Sequence, residues 1–375
     1  MSFTEDDKRF MELALALAEK GRYTTQPNPM VGCVLVKNDT LIGQGYHEKA
    51  AGPHAEINAI TQATENTQGA IAYVSLEPCS HTGKTPPCVN ALIKAGVSKV
   101  IVALQDPNPL VAGQGISALK EAGISVLVGL LQEQAAALNK GFLQRMRTGN
   151  PRVLSKIAMS LDGRTAMASG ESKWITGEAA REDVHRLRAQ SGAVLTGIGT
   201  VLEDNPQLTV RKGIDPLADL QPLRVVLDSK LQTPVGSSLT GGAGSCVILT
   251  CSQDVEKKFA LERTGFVVVV LPVDSNNKLC LQAVMDWLGE QEINDVMVEA
   301  GSKLNGALLQ AGLIDELIVY LAPAILGDAS RGAFNLPDVL ALSDKVELDF
   351  KGVSTLGDDL KLHYGVVKRK KETGV

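Results

Sequence analysis

The sequence predicts an α/β protein of two domains on three observations: its length, its globular balance of residue types, and an alternation of strand-like and helix-like segments that stops once and begins afresh. Its 375 residues exceed the roughly 250–300 at which a single core stops growing. Hydrophobic residues make up 44% and charged residues 21%, a balance that packs cores and excludes a disordered chain. A net charge of −5 argues against a large nucleic-acid surface, which needs clustered Lys and Arg. A small anionic substrate needs only one local arginine cluster. Met1–Phe10 carries Glu5, Asp6 and Asp7 and no apolar segment, so neither a signal peptide nor a transit sequence is expected. The longest apolar stretches, such as Phe266–Val273, fall well short of the ~20 residues that span a bilayer. Six cysteines are too sparse for a disulfide scaffold. A soluble cytoplasmic protein is expected.

Thr4 can cap a first helix in which Phe10, Leu13, Ala14 and Leu17 recur at helical spacing and which Gly21 can end. Met30–Lys37 and Leu41–His47 read as strands joined by the polar turn Asn38-Asp39. A helix over His54–Ala63, a strand over Ala70–Leu76 and a helix over Val89–Ala95 follow. Strands at Lys99–Leu104 and Ile124–Val128 flank a helix at Gln114–Ala122, so these residues form an α/β sandwich edged by a hairpin. One long helical pattern, Leu130–Arg147, stops at Thr148-Gly149-Asn150-Pro151, and the domain boundary is placed there, giving domains of residues 1–149 and 150–375. Beyond it strands are expected at Val153–Met159, Ala193–Thr196, Leu223–Asp228, Cys246–Thr250, Phe266–Leu271, Val296–Glu299 and Glu316–Leu321, with helices between several of them. The basic run Lys368–Lys371 reads as a solvated end.

Within the first domain His54-Ala55-Glu56 opens a helix directly after Pro53, Glu77-Pro78-Cys79 follows a strand, and Cys88 stands at the start of the next helix. His-x-Glu followed by Pro-Cys and a second Cys is the pattern in which one imidazole and two thiolates hold zinc while the glutamate, no ligand, carries protons. Each residue alone has an ordinary reading, as a buried histidine, a helix-start acid or an inert thiol. The four in this order make a metal site. Ligands His54, Cys79 and Cys88 leave a fourth tetrahedral position for water, whose pKa zinc lowers toward ~7. Glu56 can take the proton from that water and return it to a ring nitrogen and a leaving amine. The expected chemistry is hydrolytic loss of ammonia from an amidine-like ring carbon.

Eight residues, Ser80–Pro87, separate Cys79 from Cys88 where the general pattern has two. With this insertion and with Pro27-Asn28-Pro29, Gly45-Tyr46-His47 and Gln105-Asp106-Pro107-Asn108-Pro109, the first domain closely resembles the deaminase half of the bifunctional deaminase/reductases of riboflavin biosynthesis, the RibD family. The resemblance implies a cytidine-deaminase-like α/β/α sandwich and a loop that fits the site to a phosphoribosylated diaminopyrimidine. It also implies a substrate pocket lined by Asn28, His47, Lys84 and Asn108, although turn-forming Asn and Pro are equally common as structural punctuation.

In the second domain, Leu154–Gly163 puts Lys156 on a strand that breaks at Asp162-Gly163, at a sheet end of the kind where ligands collect. Thr196-Gly197-Ile198-Gly199-Thr200 and the stretch from Glu299 to Ala307 each run from a strand through glycine into a helix, and the N–H groups of such a turn can hold a phosphate. Neither matches the G-x-G-x-x-G dinucleotide fingerprint, and tight turns account for glycine as well. With Ser172-Lys173-Trp174-Ile175-Thr176, Arg188-Ala189-Gln190-Ser191 and Asp204-Asn205-Pro206, these segments look like the reductase half of the same family, and the resemblance fades only after about Gly332. It implies a dihydrofolate-reductase-like α/β domain that uses NADPH. Carried over by position, Ala158, Trp174, Thr200, Asp204, Gly301, Ser302, Lys303, Leu304, Asn305, Gly306 and Ala307 meet the cofactor. Ser172, Arg188, Leu208, Arg211 and Glu299 meet the substrate, the two arginines offering bidentate contacts to its phosphate. Lys156 is the candidate for assisting the sugar carbon as it accepts hydride, by stabilising an open-chain oxygen or imine. An exposed lysine on an edge strand is its alternative, and Trp174 could equally be core.

The expected protein is therefore a bifunctional enzyme that deaminates a phosphoribosyl diaminopyrimidine and then reduces its ribosyl group to ribityl. One zinc per chain, NADPH, a small-molecule substrate, no nucleic acid, no membrane and a homo-oligomer, dimer or tetramer, complete the expectation. Physical grounds alone do not choose between NADPH and NADH. A deaminase acting on a base in tRNA shares His-Ala-Glu, but the long Cys79–Cys88 loop, the acidic balance and 4% aromatic residues weigh against it. A non-catalytic protein with a structural zinc needs a fourth ligand. None is evident, since His81 in the loop reads as substrate-facing or exposed.

Overall fold

Thr4 caps the first helix, α1 (Glu5–Glu19): its hydroxyl accepts the Asp7 N–H at 3.1 Å, and the Asp7 carboxylate accepts the Thr4 N–H at 2.8 Å, a reciprocal capping box. The computed structural model describes residues 3–80, 87–108, 112–211 and 221–368 and divides into two compact units, 1–150 and 151–375.

In the first unit β1 (Gly32–Lys37) and β2 (Thr40–Tyr46) pair antiparallel across Asn38 and Asp39, both left-handed at φ 48° and 60°, as a two-residue hairpin turn requires. β3 (Ile71–Val74) lies antiparallel to β1, and β4 (Lys99–Val102) and β5 (Ser125–Val128) continue in parallel, in the order β2-β1-β3-β4-β5. The strand β1 is buried on both faces because successive side chains point to opposite sides. Val34 and Val36 join Phe10, Met11 and Ala14 of α1. Cys33 and Leu35 join Ala55 and Ala59 of α2 (Ala55–Thr61) and Val89 and Leu92 of α3 (Cys88–Lys94). Helix α4 (Gln114–Glu121) adds Leu119 to that same layer. The long helix expected over Leu130–Arg147 is two helices, α5 (Gln132–Leu138) and α6 (Lys140–Thr148), broken at Asn139. The cause is distant: the Asn139 amide accepts the Met30 N–H and donates to the Met30 carbonyl, both at 2.8 Å, satisfying backbone groups that have no ladder partner there.

In the second unit β6 (Arg152–Ser160), β8 (Ala193–Gly197), β9 (Leu223–Leu227), β10 (Cys246–Thr250), β11 (Val267–Val270), β12 (Asp295–Val298) and β13 (Glu316–Ala322) run parallel in the order β11-β10-β9-β8-β12-β6-β13. Val153, Leu195, Val225 and Leu249 pack with α10 (Leu281–Glu290) and α11 (Ser302–Gln310). On the other face Val194, Val226 and Ile248 pack with Val201 of α8 (Ile198–Asp204) and Leu261 of α9 (Val255–Glu262). Ala180 and Val184 of α7 (Glu178–Gln190) cover Leu154 and Met297 there. Cover on both faces is why these strands read as continuous apolar runs. A short β7 (Arg164–Ala166) pairs with β14 (Arg331–Gly332). The sheet closes with two antiparallel strands absent from the sequence expectation, β15 (Leu348–Leu356) and β16 (Asp359–Val366). Among the described residues no helix is long and apolar enough to cross a membrane. Lys368, the first residue of the basic run, pairs with Asp315 at 2.6 Å; the rest of the run lies outside the described residues.

Candidate active sites

His54 is the N-cap of α2, extended at φ −75° and ψ 164°, so its imidazole leaves the chain just before Glu56 enters the first helical turn. Cys79 comes shortly after β3, and Cys88 opens α3 directly after Pro87. These three element ends bring His54 Nδ1 to 3.2 Å from Cys88 Sγ and 3.5 Å from Cys79 Sγ. All three ligand atoms lie within 4.8 Å of one another. A zinc ion with Zn–N near 2.0–2.1 Å and Zn–S near 2.3 Å at tetrahedral angles spaces its ligand atoms about 3.5–3.8 Å apart, so the cluster fits zinc with small adjustment. Its electrostatics agree. The hydrogen bond from Cys88, against the cost of burial and with help from His54, brings Cys79 down to about 4, while the donor Cys88 is pushed up. The hydrogen bond to Cys79 raises His54 despite its burial. An anionic sulfur thus gathers where a thiophilic dication would sit.

Glu56 is 3% exposed. Burial first, and then the Cys79 sulfur, pushes its carboxyl above the ordinary range, the direction that suits a proton carrier near neutral pH. Beside His54, His47 Nδ1 stands 3.0 Å from the Pro53 carbonyl and Nε2 3.0 Å from the Asn28 amide nitrogen. A carbonyl only accepts, so Nδ1 carries the proton and Nε2 accepts from Asn28. Burial lowers the His47 pKa and keeps the ring neutral. It meets His54 edge to face with centroids 5.3 Å apart, so the sequence-predicted Asn28 and His47 reach the metal cluster as a linked pair. Asn108 is fixed by its N–H donating to Asp106 Oδ1 at 2.8 Å. Lys84 and His81 lie outside the described residues.

In the second unit a cleft of about 2040 Å³ opens where the parallel strands end, as ligand sites of such sheets do. Lys156, Ala158, Trp174, Thr200, Asp204, Gly301, Ser302, Lys303, Leu304 and Ala307 line it, as do Ser172, Arg188, Leu208, Arg211 and Glu299. Asn305 and Gly306 do not. The Asn305 amide accepts from Ser155 Oγ at 2.9 Å and donates to the Ala300 carbonyl at 2.8 Å, and a Cβ on Gly306 would stand 2.1 Å from the Asn335 carbonyl oxygen. Both anchor α11 from behind the cleft. Arg188 lines the cleft with its guanidinium already engaged. Its Nε and Nη2 donate to the two Glu299 oxygens at 2.5 and 3.0 Å and its Nη1 to the Thr209 carbonyl at 2.9 Å, so the fork expected on a phosphate already grips Glu299. Arg211, exposed beside it, also lines the cleft.

Lys156 Nζ lies 3.6 Å from Glu299 Oε2, and β6 sits between β12 and β13, which excludes the edge-strand alternative. Burial would raise Glu299, but the charges of Arg188 and Lys156 prevail and bring it to about 2. Trp174 is 71% exposed, with the Arg181 guanidinium 4.8 Å from its ring, so it is not core. Among the lining residues that went unnoticed in the sequence is His185, whose Nδ1 accepts the Arg211 N–H at 3.4 Å. Burial, then Arg188 and Arg211, hold it at about 4. Its i,i+3 spacing from Arg188 on α7 was the signal that could have found it.

Two family patterns match the chain: the cytidine and deoxycytidylate deaminase zinc-binding region over residues 4–104 and the RibD C-terminal domain over residues 151–362. The chain belongs to the RibD family. It is 48% identical over 366 residues to the riboflavin biosynthesis protein RibD of Escherichia coli (strain K12), covering 95% of this chain and 98% of that protein. The structure of Acinetobacter baumannii RibD superposes with a TM-score of 0.90 at 46% identity, over 97% of this chain and 99% of that one. The diaminohydroxyphosphoribosylaminopyrimidine deaminase/5-amino-6-(5-phosphoribosylamino)uracil reductase of Thermotoga maritima superposes with a TM-score of 0.84 at 32% identity, over 97% and 99% of the two chains. As a RibD, the chain is a bifunctional deaminase/reductase of riboflavin biosynthesis, its first unit a zinc-binding, cytidine-deaminase-like domain and its second the reductase domain. The family match runs to residue 362, well past Gly332, where the sequence resemblance was expected to fade.

Proposed function

We propose that the first unit hydrolytically deaminates 2,5-diamino-6-(5-phosphoribosylamino)pyrimidin-4(3H)-one, and that the second reduces the ribosyl group of the resulting 5-amino-6-(5-phosphoribosylamino)uracil to ribityl with NADPH. The observation that carries the reading is the presence on one chain of a His-Cys-Cys cluster beside a buried glutamate and of a cleft roomy enough for a dinucleotide and a sugar phosphate together. The Thermotoga maritima relative is named for these two reactions, which supports the substrate assignment.

His54, Cys79 and Cys88 would hold zinc, which when bound supplies a Lewis acid that makes water acidic enough to attack near neutral pH. Glu56, dry and with its pKa raised, takes one proton from the attacking water and gives it to the ring nitrogen, then carries the second, from the hydroxyl of the adduct, to the amine that leaves as ammonia. Neutral His47 with Asn28 orients the polar edge of the pyrimidine, and Asn108 and Lys84 meet the phosphoribosyl side. In the second unit NADPH would supply the hydride. The start of α11, from Gly301 through Ser302, Lys303 and Leu304 to Ala307, offers backbone N–H groups to the cofactor phosphates, and Ala158, Trp174, Thr200 and Asp204 hold its remainder. Asn305 and Gly306 serve it only by fixing that helix. Lys156 stabilises the open-chain oxygen or imine as the sugar carbon is reduced, and the Arg188–Glu299 pair sets its place. Arg211 takes the substrate phosphate, with Ser172 and Leu208 beside it.

Incubating the protein with the diaminopyrimidine phosphate should release ammonia with or without NADPH and consume nicotinamide absorbance only with it. Glu56→Gln should slow ammonia release by roughly 10²–10⁴ while still reducing the deaminated intermediate, and Lys156→Ala should do the reverse. Loss of both activities in either folded variant would sink the assignment, and equal rates with NADH would remove the preference for NADPH.

A further inference from the structure

Glu77 opens the Glu-Pro-Cys run, yet the chemistry above leaves it no task. It is 4% exposed. Its Oε2 accepts the Asp106 N–H at 3.2 Å and the Gly113 N–H at 3.0 Å, and its Oε1 accepts the Ile116 N–H at 3.1 Å. All three donors belong to one segment, which leaves β4 and leads past Asn108 into α4. A carboxylate suits such a hub because it only accepts, has room for about four hydrogen bonds, and binds N–H groups more strongly than a neutral amide does. The fit is close as well as polar: a Cβ on Gly115 would stand 2.1 Å from the Pro78 carbonyl oxygen and 3.2 Å from Glu77 Oε1. Within the segment the buried Asp106 accepts the Asn108 N–H at 2.8 Å. The place of Asn108 is therefore handed on from Glu77 through Asp106. Among the described residues no cation pairs with Glu77, so its partners are these backbone donors.

We propose that Glu77 is a positioning residue of the deaminase, holding the Asn108-bearing turn against the short segment that carries Cys79, so that the wall meeting the phosphoribosyl side of the substrate stays in register with the metal ligands. The inference rests on the reading of Asn108 as a substrate contact. Sequence proximity explains the economy of the device, since two residues along the chain from Glu77 the backbone already belongs to the metal site.

The test uses the full chain and follows ammonia release from the diaminopyrimidine phosphate in wild type, Glu77→Gln, Asn108→Ala, the double variant and Gly115→Ala, with zinc content and reductase rate measured on each preparation. Glutamine keeps one acceptor oxygen and turns an NH₂ group toward an N–H donor. Glu77→Gln is expected to raise KM roughly tenfold or more, to change kcat less, to keep zinc at the wild-type level, and to cost little further when added to Asn108→Ala. Gly115→Ala leaves the Glu77 residue itself unaltered but sets a methyl 2.1 Å from the Pro78 carbonyl oxygen and 3.2 Å from Glu77 Oε1, which forces the same segment away, and it should raise KM in the same manner; if Glu77→Gln does not fold, this variant decides. Zinc loss in Glu77→Gln, or full additivity with Asn108→Ala, would overturn the positioning role. An unchanged KM in Glu77→Gln beside a raised one in Asn108→Ala refutes the inference alone, whereas an unchanged KM in Asn108→Ala refutes the substrate reading and the inference with it.

Discussion

Arg188 and Glu299 are nearly buried and meet fork to fork at 2.5 and 3.0 Å, each offsetting the desolvation that the other suffers. Removing one partner strands the other. Glu299→Gln should lower the stability of the second unit by roughly 3–5 kcal/mol, read as a fall in its denaturant midpoint, and should slow reduction while ammonia release continues. His185, on the same helix as Arg188, gives this cleft a pH signature. In an unfolded chain its imidazole takes a proton near 6.5, but in the fold burial, then Arg188 and Arg211, hold it at about 4. Between those values the unfolded chain binds the extra proton, so the contribution of neutral His185 is complete above about pH 6.5 and drains away as pH falls toward about 4. Glu299, lowered from 4.5 to about 2, loses its contribution in a more acid window, and the two are separable. Melting His185→Gln across the upper window should give a flatter dependence than wild type; an unchanged slope would refute the role of His185.

The helix α2 delivers both the His54 ligand and Glu56, and it reaches them only because β2 presents glycine to it. A Cβ on Gly45 would stand 2.5 Å from the Ala59 nitrogen and 2.7 Å from the Ala55 carbonyl oxygen, backbone contacts that no rotamer change relieves. Gly45→Ala should therefore push α2 off the sheet and leave the chain short of zinc by metal analysis, with ammonia release lost and reduction retained; full zinc occupancy would show that the helix absorbs the strain. The elements around this site were legible in the sequence because their signals are local: the Thr4–Asp7 cap, the apolar runs of β1 and β3, and the helix starts at His54 and Cys88. What stayed hidden depends on distant partners. The break at Asn139 comes from Met30, 109 residues away, and the Arg188 fork is taken up by Glu299 at a separation of 111. The β15–β16 hairpin escaped for another reason, since β15 leaves most of both faces exposed and so lacks the period-two alternation that marks a half-buried strand.

Each unit of the molecule buries its own sheet under its own helices. The clusters around Phe10 and Cys33 draw only on residues of the first unit, and those around Val153, Val194 and Leu154 only on residues of the second. Neither core needs the other unit's ligand to be complete, so binding energy at one site should act on one unfolding transition. Zinc ties together three separate element ends, the cap of α2, the turn after β3 and the start of α3, and its removal takes that linkage from the first unit alone. Treatment with 1,10-phenanthroline should abolish ammonia release, lower the melting transition of the first unit, and leave NADPH-dependent reduction of the deaminated intermediate at its starting rate. Saturating NADPH should raise the other transition instead, by about 2.7 kcal/mol of added stability at a hundredfold excess over its Kd. A parallel loss of reduction on chelation would mean that the second unit depends on the metal of the first, and the picture of two self-sufficient sites on one chain would have to be abandoned.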